Sequence, residues 1–331
     1  MWLDGTPYWS GVQLDEAAFP ILLVDMLARA DALTPQTQAL CWPMVERAAR
    51  FIVRNGPVTG QDRWEEDAGY SPFTLAVTIS ALLVAADMAD TFASREAGDA
   101  IRATADAWNA SIEDWIFARD TPLAKELGID GYYVRIAPGG TGDAPPWAGN
   151  IVVKNVVDGW RPASDVVSVD ALALVRFGLR RADDPRILDT LKAIDHLLRV
   201  ELPTGPCWRR YNGDGYGEHA DGASFDGTGV GRPWPLLTGE RAHYELAAGR
   251  LDEARKLLRT MSTLTSAGGL LPEQVWDADD IPARELFRGK PSGSAMPLVW
   301  AHAEDIKLRR SLADGSVFDM PPLARARYAQ R

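Results

Sequence analysis

FTLAVTISALLVAADMA, residues 73–89, carries apolar side chains on every face of a 3.6-residue repeat, so it reads as a helix buried all round. Outward from it, periodicity gives nine helices: 15–31, 36–54, 73–89, 93–118, 166–182, 185–200, 235–248, 251–265 and 293–311. The stops between them are ordinary ones, such as Asn55-Gly56-Pro57 and Gly249. Their connections alternate. Short links (DALTP, TFASR, DD, GR) follow the first, third, fifth and seventh helices, and long Gly-, Pro- and Trp-rich links follow the second, fourth, sixth and eighth. Short links make antiparallel hairpins, so every long link must emerge at one end of a stack of hairpins. The expectation is an all-α toroid with functional loops ahead of its inner helices. In the long link 120–165, GYYVRIA and NIVVKNV read as short strands, paired as a hairpin over the mouth.

The 331 residues suit one large helical domain, residues 1–331, and a net charge of −11 argues against a nucleic-acid partner. No run of 18 uninterrupted apolar residues is present, so no membrane span is expected. The opening MWLDGTPYWSGVQ has neither a basic leader nor an apolar signal core. Cys41 and Cys207 stand apart, Cys41 reading as a buried free thiol. The four histidines form no metal spacing, and no metal or cofactor is expected. Gly227, Gly229 and Gly231 follow no strand, which sets a dinucleotide loop aside.

Eight of the twelve tryptophans (Trp2, Trp9, Trp64, Trp147, Trp160, Trp208, Trp234, Trp276) fall in the long loops or the opening segment. Stacking on sugar rings accounts for such a set; plugging the top of the toroid is the alternative for any one of them. Two carboxylate segments lie in these loops. Asp62-Arg63-Trp64-Glu65-Glu66-Asp67 puts four acids in six residues just before the third helix, where crowding raises the pKa of at least one. Alone it also fits an acidic turn complementing a helix dipole. Glu273, in GGLLPEQVWD (268–277), sits between Pro272 and Trp276 before the last helix. The alternation places both at the same end. Glycoside hydrolysis with inversion needs such a pair, one acid and one base, about 6.5–9.5 Å apart with a water between.

Asp62-Arg63-Trp64-Glu65-Glu66, PEQVWD around Glu273, and GRPWPLLTGERAHYELA (231–247) resemble the glucoamylase and glucodextranase family, glycoside hydrolase family 15, over essentially the whole chain. The resemblance implies an (α/α)6 barrel and an inverting exo-acting hydrolase that frees glucose from the non-reducing ends of α-1,4-glucans. It implies Glu65 as general acid and Glu273 as general base. It further implies a substrate-binding set of Trp9, Asp15, Asp62, Trp64, Glu66, Arg210 and Trp234. Arg210 comes from Arg210-Tyr211-Asn212-Gly213-Asp214-Gly215-Tyr216, and Trp9 and Asp15 from Trp9-Ser10-Gly11-Val12-Gln13-Leu14-Asp15. Arg63 stands where fungal members have leucine. An α-1,6-glucan or trehalose as substrate stays open, as does a non-catalytic carbohydrate-binding fragment. The family's Trp-x-Arg-Asp motif has no counterpart here, and nine helices against twelve imply that about three are lacking. The expectations are a toroid open at one side and a chain poorly folded or nearly inactive by itself.

Overall fold

The computed structural model describes residues 2–6, 11–140, 142 and 144–330. Four helical hairpins and a final pair of helices account for most of it. The first hairpin is α1 (Leu14–Arg29) with α2 (Pro35–Asn55), and the second is α3 (Pro72–Phe92) with α4 (Arg95–Ile116). After a one-turn α5 (Pro122–Leu127) comes a short α6 (Ala173–Arg176) with α7 (Pro185–Leu198). Helices α8 (Pro235–Ala247) and α9 (Leu251–Thr263) follow, then α10 (Val299–Asp314) and α11 (Pro322–Tyr328). Helix starts follow local chemistry. Thr34, Ser71 and Ser94 each accept a backbone N–H three residues on, at 3.2, 3.4 and 3.2 Å, and proline stands at the first helical position of α2 and α3.

Helices α1, α3, α6, α8 and α10 are successive neighbours in an inner row, with α2, α4, α7 and α9 packed outside. α3 is buried along nearly its whole length, as its composition demands. By length and mean hydropathy, though not by an uninterrupted apolar run, it is apolar enough to cross a membrane, yet 89% of that window is covered by protein. Its polar groups are satisfied internally: the Thr78 hydroxyl donates to the Thr74 carbonyl (2.7 Å) and the Ser80 hydroxyl to the Phe177 carbonyl (2.8 Å). Between α1 and α10 the row opens on an apolar groove of about 600 Å³ that includes Phe19, Leu23, Met26 and Phe318.

Three sequence expectations are corrected. Residues 166–182 are not one helix but a 3-10 turn, Val169–Leu172, and the single turn of α6. Val166 and Ser168 are extended, and Gly178 closes α6 at φ +78° with the Arg325 backbone against it, where a side chain has no room. The last long helix begins at Val299 rather than 293, because 271–275 and 293–298 run alongside each other, Glu273 N–H donating to the Ala295 carbonyl and Leu298 N–H to that of Leu271. The expected hairpin between 131–137 and 150–156 does not form. Strand β1 (Phe117–Arg119) continues straight from α4 and pairs with β2 (Gly131–Tyr133), while β3 (Asn150–Val152) pairs with β4 (Trp160–Pro162). A third ribbon joins β5 (Arg199–Leu202) to β6 (Gly205–Trp208).

Candidate active site

The loop after α2 is shaped by Asp62. Its Oδ1 accepts the N–H groups of Trp64 and Glu66 (3.1 Å each), and its carbonyl accepts that of Glu65 (2.9 Å). Glu65 takes φ +61°, a left-handed conformation uncommon for a non-glycine residue and frequent at functional turns. That turn leaves Glu65 as the exposed member of the four acids, and among the described residues its carboxylate receives no hydrogen bond. The other three converge on one buried arginine. Arg135 Nη2 reaches Asp62 Oδ2 and Glu66 Oε2 (2.7 Å each), and Nη1 reaches Asp67 Oδ2 (2.9 Å). The adjoining strand also fastens the loop, through the paired backbones of Tyr70 and Ala137.

Arg63 and Trp64 anchor the loop from below. The Arg63 guanidinium pairs with Asp170 and doubly with Glu240 (2.6 and 3.0 Å) between the rings of Trp64, Phe73 and Trp300. Trp64 Nε1 donates to Asp170 Oδ2 at 3.0 Å. Arg63 is therefore a structural anchor, 2% exposed at its side chain.

Arg210 joins this loop to the next. It pairs with Asp214 through two hydrogen bonds (2.7 and 2.8 Å) and with Glu66 Oε1 (2.9 Å), among the rings of Trp64, Tyr211, Tyr216 and Trp234. Tyr211 donates to Glu66 Oε2 at 2.6 Å. Tyr216, from the same segment, donates to Glu273 Oε2 at 3.3 Å. A continuous path, Glu66–Arg210–Asp214 and on through Tyr216 to Glu273, thus spans two loops 208 positions apart in sequence between Glu65 and Glu273. Trp64 and Trp234 meet edge to face, 5.2 Å between centroids, at the back of this cup.

The electrostatics follow burial. Burial pushes the carboxyl of Glu66 up, with Arg210 and Arg135 pulling it back, and likewise that of Asp67 against Arg135. Glu273 is raised by burial, opposed by the Tyr216 hydroxyl and Arg210. The Tyr216 hydroxyl is itself pushed up to about 12 by burial and by Glu273, so it remains a donor at neutral pH.

Glu65, Glu66, Glu273, Trp64, Arg210 and Trp234 therefore belong to one end of the molecule. Two expected sugar contacts are corrected. Asp62, 1% exposed, has both oxygens engaged by its own loop and Arg135. Asp15, 4% exposed, lies beneath the loop, accepts the Thr74 hydroxyl at 2.9 Å and is pushed up to about 6 by burial. Both shape the site without facing it. Trp9 lies outside the described residues. The loop tryptophans divide: Trp64, Trp208, Trp234 and Trp276 are buried plugs, whereas Trp2 and Trp160 are exposed. Cys41 is half-buried, not buried; both cysteines are free. Arg135, Asp170, Glu240 and Trp300 were not read from the sequence. An arginine inside the apolar run GYYVRIA was the available signal, because such a charge needs partners.

Comparison with known proteins bears on this arrangement. A glucoamylase of Clostridium sp. (strain G0005) is 40% identical over 330 residues, which cover 100% of this chain and 43% of that protein. A bacterial glucoamylase solved in complex with acarbose superposes with a TM-score of 0.86 at 39% identity, over 99% of this chain and 45% of the other. The glucoamylase of Saccharomycopsis fibuligera, at 14% identity, shares the fold with a TM-score of 0.60, over 94% of this chain and 73% of that one. The chain spans less than half the length of the bacterial relatives it matches, and its helical architecture is that of the glucoamylase (α/α)6 fold. With residues 3–310 matching the model of glycosyl hydrolases family 15, the chain belongs to that family.

Proposed function

We propose that this chain carries the two catalytic carboxylates of an inverting, exo-acting α-glucosidase that releases glucose from the non-reducing ends of α-1,4-glucans. Membership of the family supports the reaction class, and the name of the 40% identical relative supports the substrate. The observation that carries the reading is the path from the Glu65–Glu66 loop through Arg210 and Tyr216 to Glu273, which brings two acidic loops to one aromatic cup.

In this reading Glu65, whose carboxylate accepts no hydrogen bond among the described residues, is the general acid and gives its proton to the glycosidic oxygen as the C1–O bond breaks. Glu273 is the general base. It takes a proton from a water whose oxygen forms the new bond at C1 from the opposite face, so the released glucose has inverted configuration. Glu65 ends ionised, Glu273 ends protonated, and exchange with solvent resets both. Glu66, clamped by two arginines and a tyrosine, stands beside the leaving sugar, and Arg210, 3% exposed and engaged by Asp214 and Glu66, holds that carboxylate from beneath the cup. The role of Arg135 is positional, holding the acid loop through three carboxylates.

Turnover of maltotetraose tests the assignment. Glu65→Gln and Glu273→Gln should each lower kcat by at least ~100-fold with thermal stability retained. Activity within a few-fold of the parent in either variant would remove that residue from its role.

A further inference from the structure

Leu271, two residues before Glu273, is 3% exposed, and both of its backbone groups are taken by the start of α10. Its carbonyl accepts the Leu298 N–H at 2.9 Å, and its own N–H donates to His302 Nε2 at 3.0 Å. A buried backbone N–H needs an acceptor, and here a side chain 31 positions away supplies it. Because a backbone N–H can only donate, Nε2 accepts and carries no proton. His302 is therefore held as the neutral imidazole with its hydrogen on Nδ1.

The rest of the segment is fastened by other groups. Glu273 N–H donates to the Ala295 carbonyl (2.8 Å), Gln274 N–H to the Ser294 hydroxyl (2.9 Å) and Val275 N–H to the Pro233 carbonyl (3.0 Å). Pro272 has no N–H, so Leu271 is the last donor through which the chain ahead of Glu273 is held. The turn that carries His302 also meets the acid loop. Trp300 lies 5.4 Å from Trp64 between ring centroids and packs on the Arg63 guanidinium. Residues two apart on a helix point to different sides. One turn of α10 thus reaches the acid loop with Trp300 and the base segment with His302. Inversion leaves room for a single water between the two carboxylates, and a displacement of about 1 Å can cost about 100-fold in rate.

We propose that His302 is a positioning residue, whose Nε2 fixes Leu271 and so sets the place of the Glu273 carboxylate relative to the acid loop. Its effect on turnover rests on the reading of Glu273 as general base; the clamp on Leu271 does not.

The test compares the 331-residue chain with His302→Gln and His302→Leu. Glutamine Oε1 stands as many bonds from Cβ as Nε2 does and keeps an acceptor, whereas leucine fills the space without one. In His302→Leu, kcat on maltotetraose is expected to fall about tenfold or more with KM within about threefold of the parent. The Leu271 and Glu273 amides are expected to exchange faster with solvent, and His302→Gln to restore both properties. The loss of kcat should be equally large on α-D-glucosyl fluoride, whose fluoride leaves with little help from an acid, because the defect lies on the water side. Parental kcat and parental amide exchange in His302→Leu overturn the proposal. A loss that disappears on the fluoride also overturns it, since the defect then lies at the acid. If leucine prevents folding, nitrogen-15 NMR of the parent at neutral pH decides, with the His302 signal assigned by its disappearance in His302→Gln. The Nδ1–H tautomer upholds the clamp, and the Nε2–H tautomer or the imidazolium overturns it. If turnover depends on Glu65 and Glu273 but neither kcat nor the amides respond to His302→Leu, only the clamp fails. If the parent shows no turnover but the amides respond, the clamp stands and the base reading fails.

Discussion

Tyr216 and Glu273 illustrate how one hydrogen bond sets a working pH. A general base acts only when ionised, and burial raises the Glu273 carboxyl while the Tyr216 hydroxyl lowers it. Removing the hydroxyl leaves burial less opposed. In Tyr216→Phe the acidic limb of the kcat/KM profile should therefore move to higher pH, with activity retained above it. An unmoved limb would mean that Glu273 does not govern it. At this scale the carboxylates were legible because acids flanked by tryptophan in Gly- and Pro-rich loops stand out from their surroundings. Their partners were not, for a physical reason. Arg135 lies 68 to 73 positions from the three acids it holds, and Asp170 lies 106 from Trp64 and 107 from Arg63, so only the fold brings them together. Asp62 entered the sugar-binding set through the family resemblance, whereas its own turn engages one carboxylate oxygen and Arg135 the other.

The elements divide between those whose local pattern agrees with their surroundings and those where tertiary contacts decide. α3 and α9 were visible because their apolar periodicity and caps or stops point the same way. The 166–182 stretch was not, because its register depends on Ser168 and on Gly178 meeting the remote α11. Gly178→Ala should thus be destabilising although alanine is the better helix former. With φ at +78° and the Arg325 backbone 2.7 Å from the added Cβ, a loss of about 2 kcal/mol is expected in urea unfolding. An unchanged midpoint would show that α11 does not pin this turn. The strands were found individually but paired wrongly, since one-residue-scale signals for a strand say nothing of its partner.

For the whole molecule, the alternation of short and long links was sufficient to place the functional loops at one end, because hairpin geometry leaves no alternative. In the apolar groove between α1 and α10, Phe19 is 41% and Leu23 49% exposed beside Met26 and Phe318, so an apolar surface faces solvent in the 331-residue chain. This chain should bind anilinonaphthalene sulfonate with a marked rise in fluorescence, reduced in the double substitution Phe19→Lys/Leu23→Lys. Fluorescence no higher than that of a compact globular control would mean that the groove is closed in solution.

The central claim is that Glu65 and Glu273 act from opposite faces of one glucose ring. Its most direct test is proton NMR of the sugar first released from maltotetraose, before mutarotation scrambles the anomers. The account predicts that the β anomer of glucose appears first. The α anomer appearing first would contradict it.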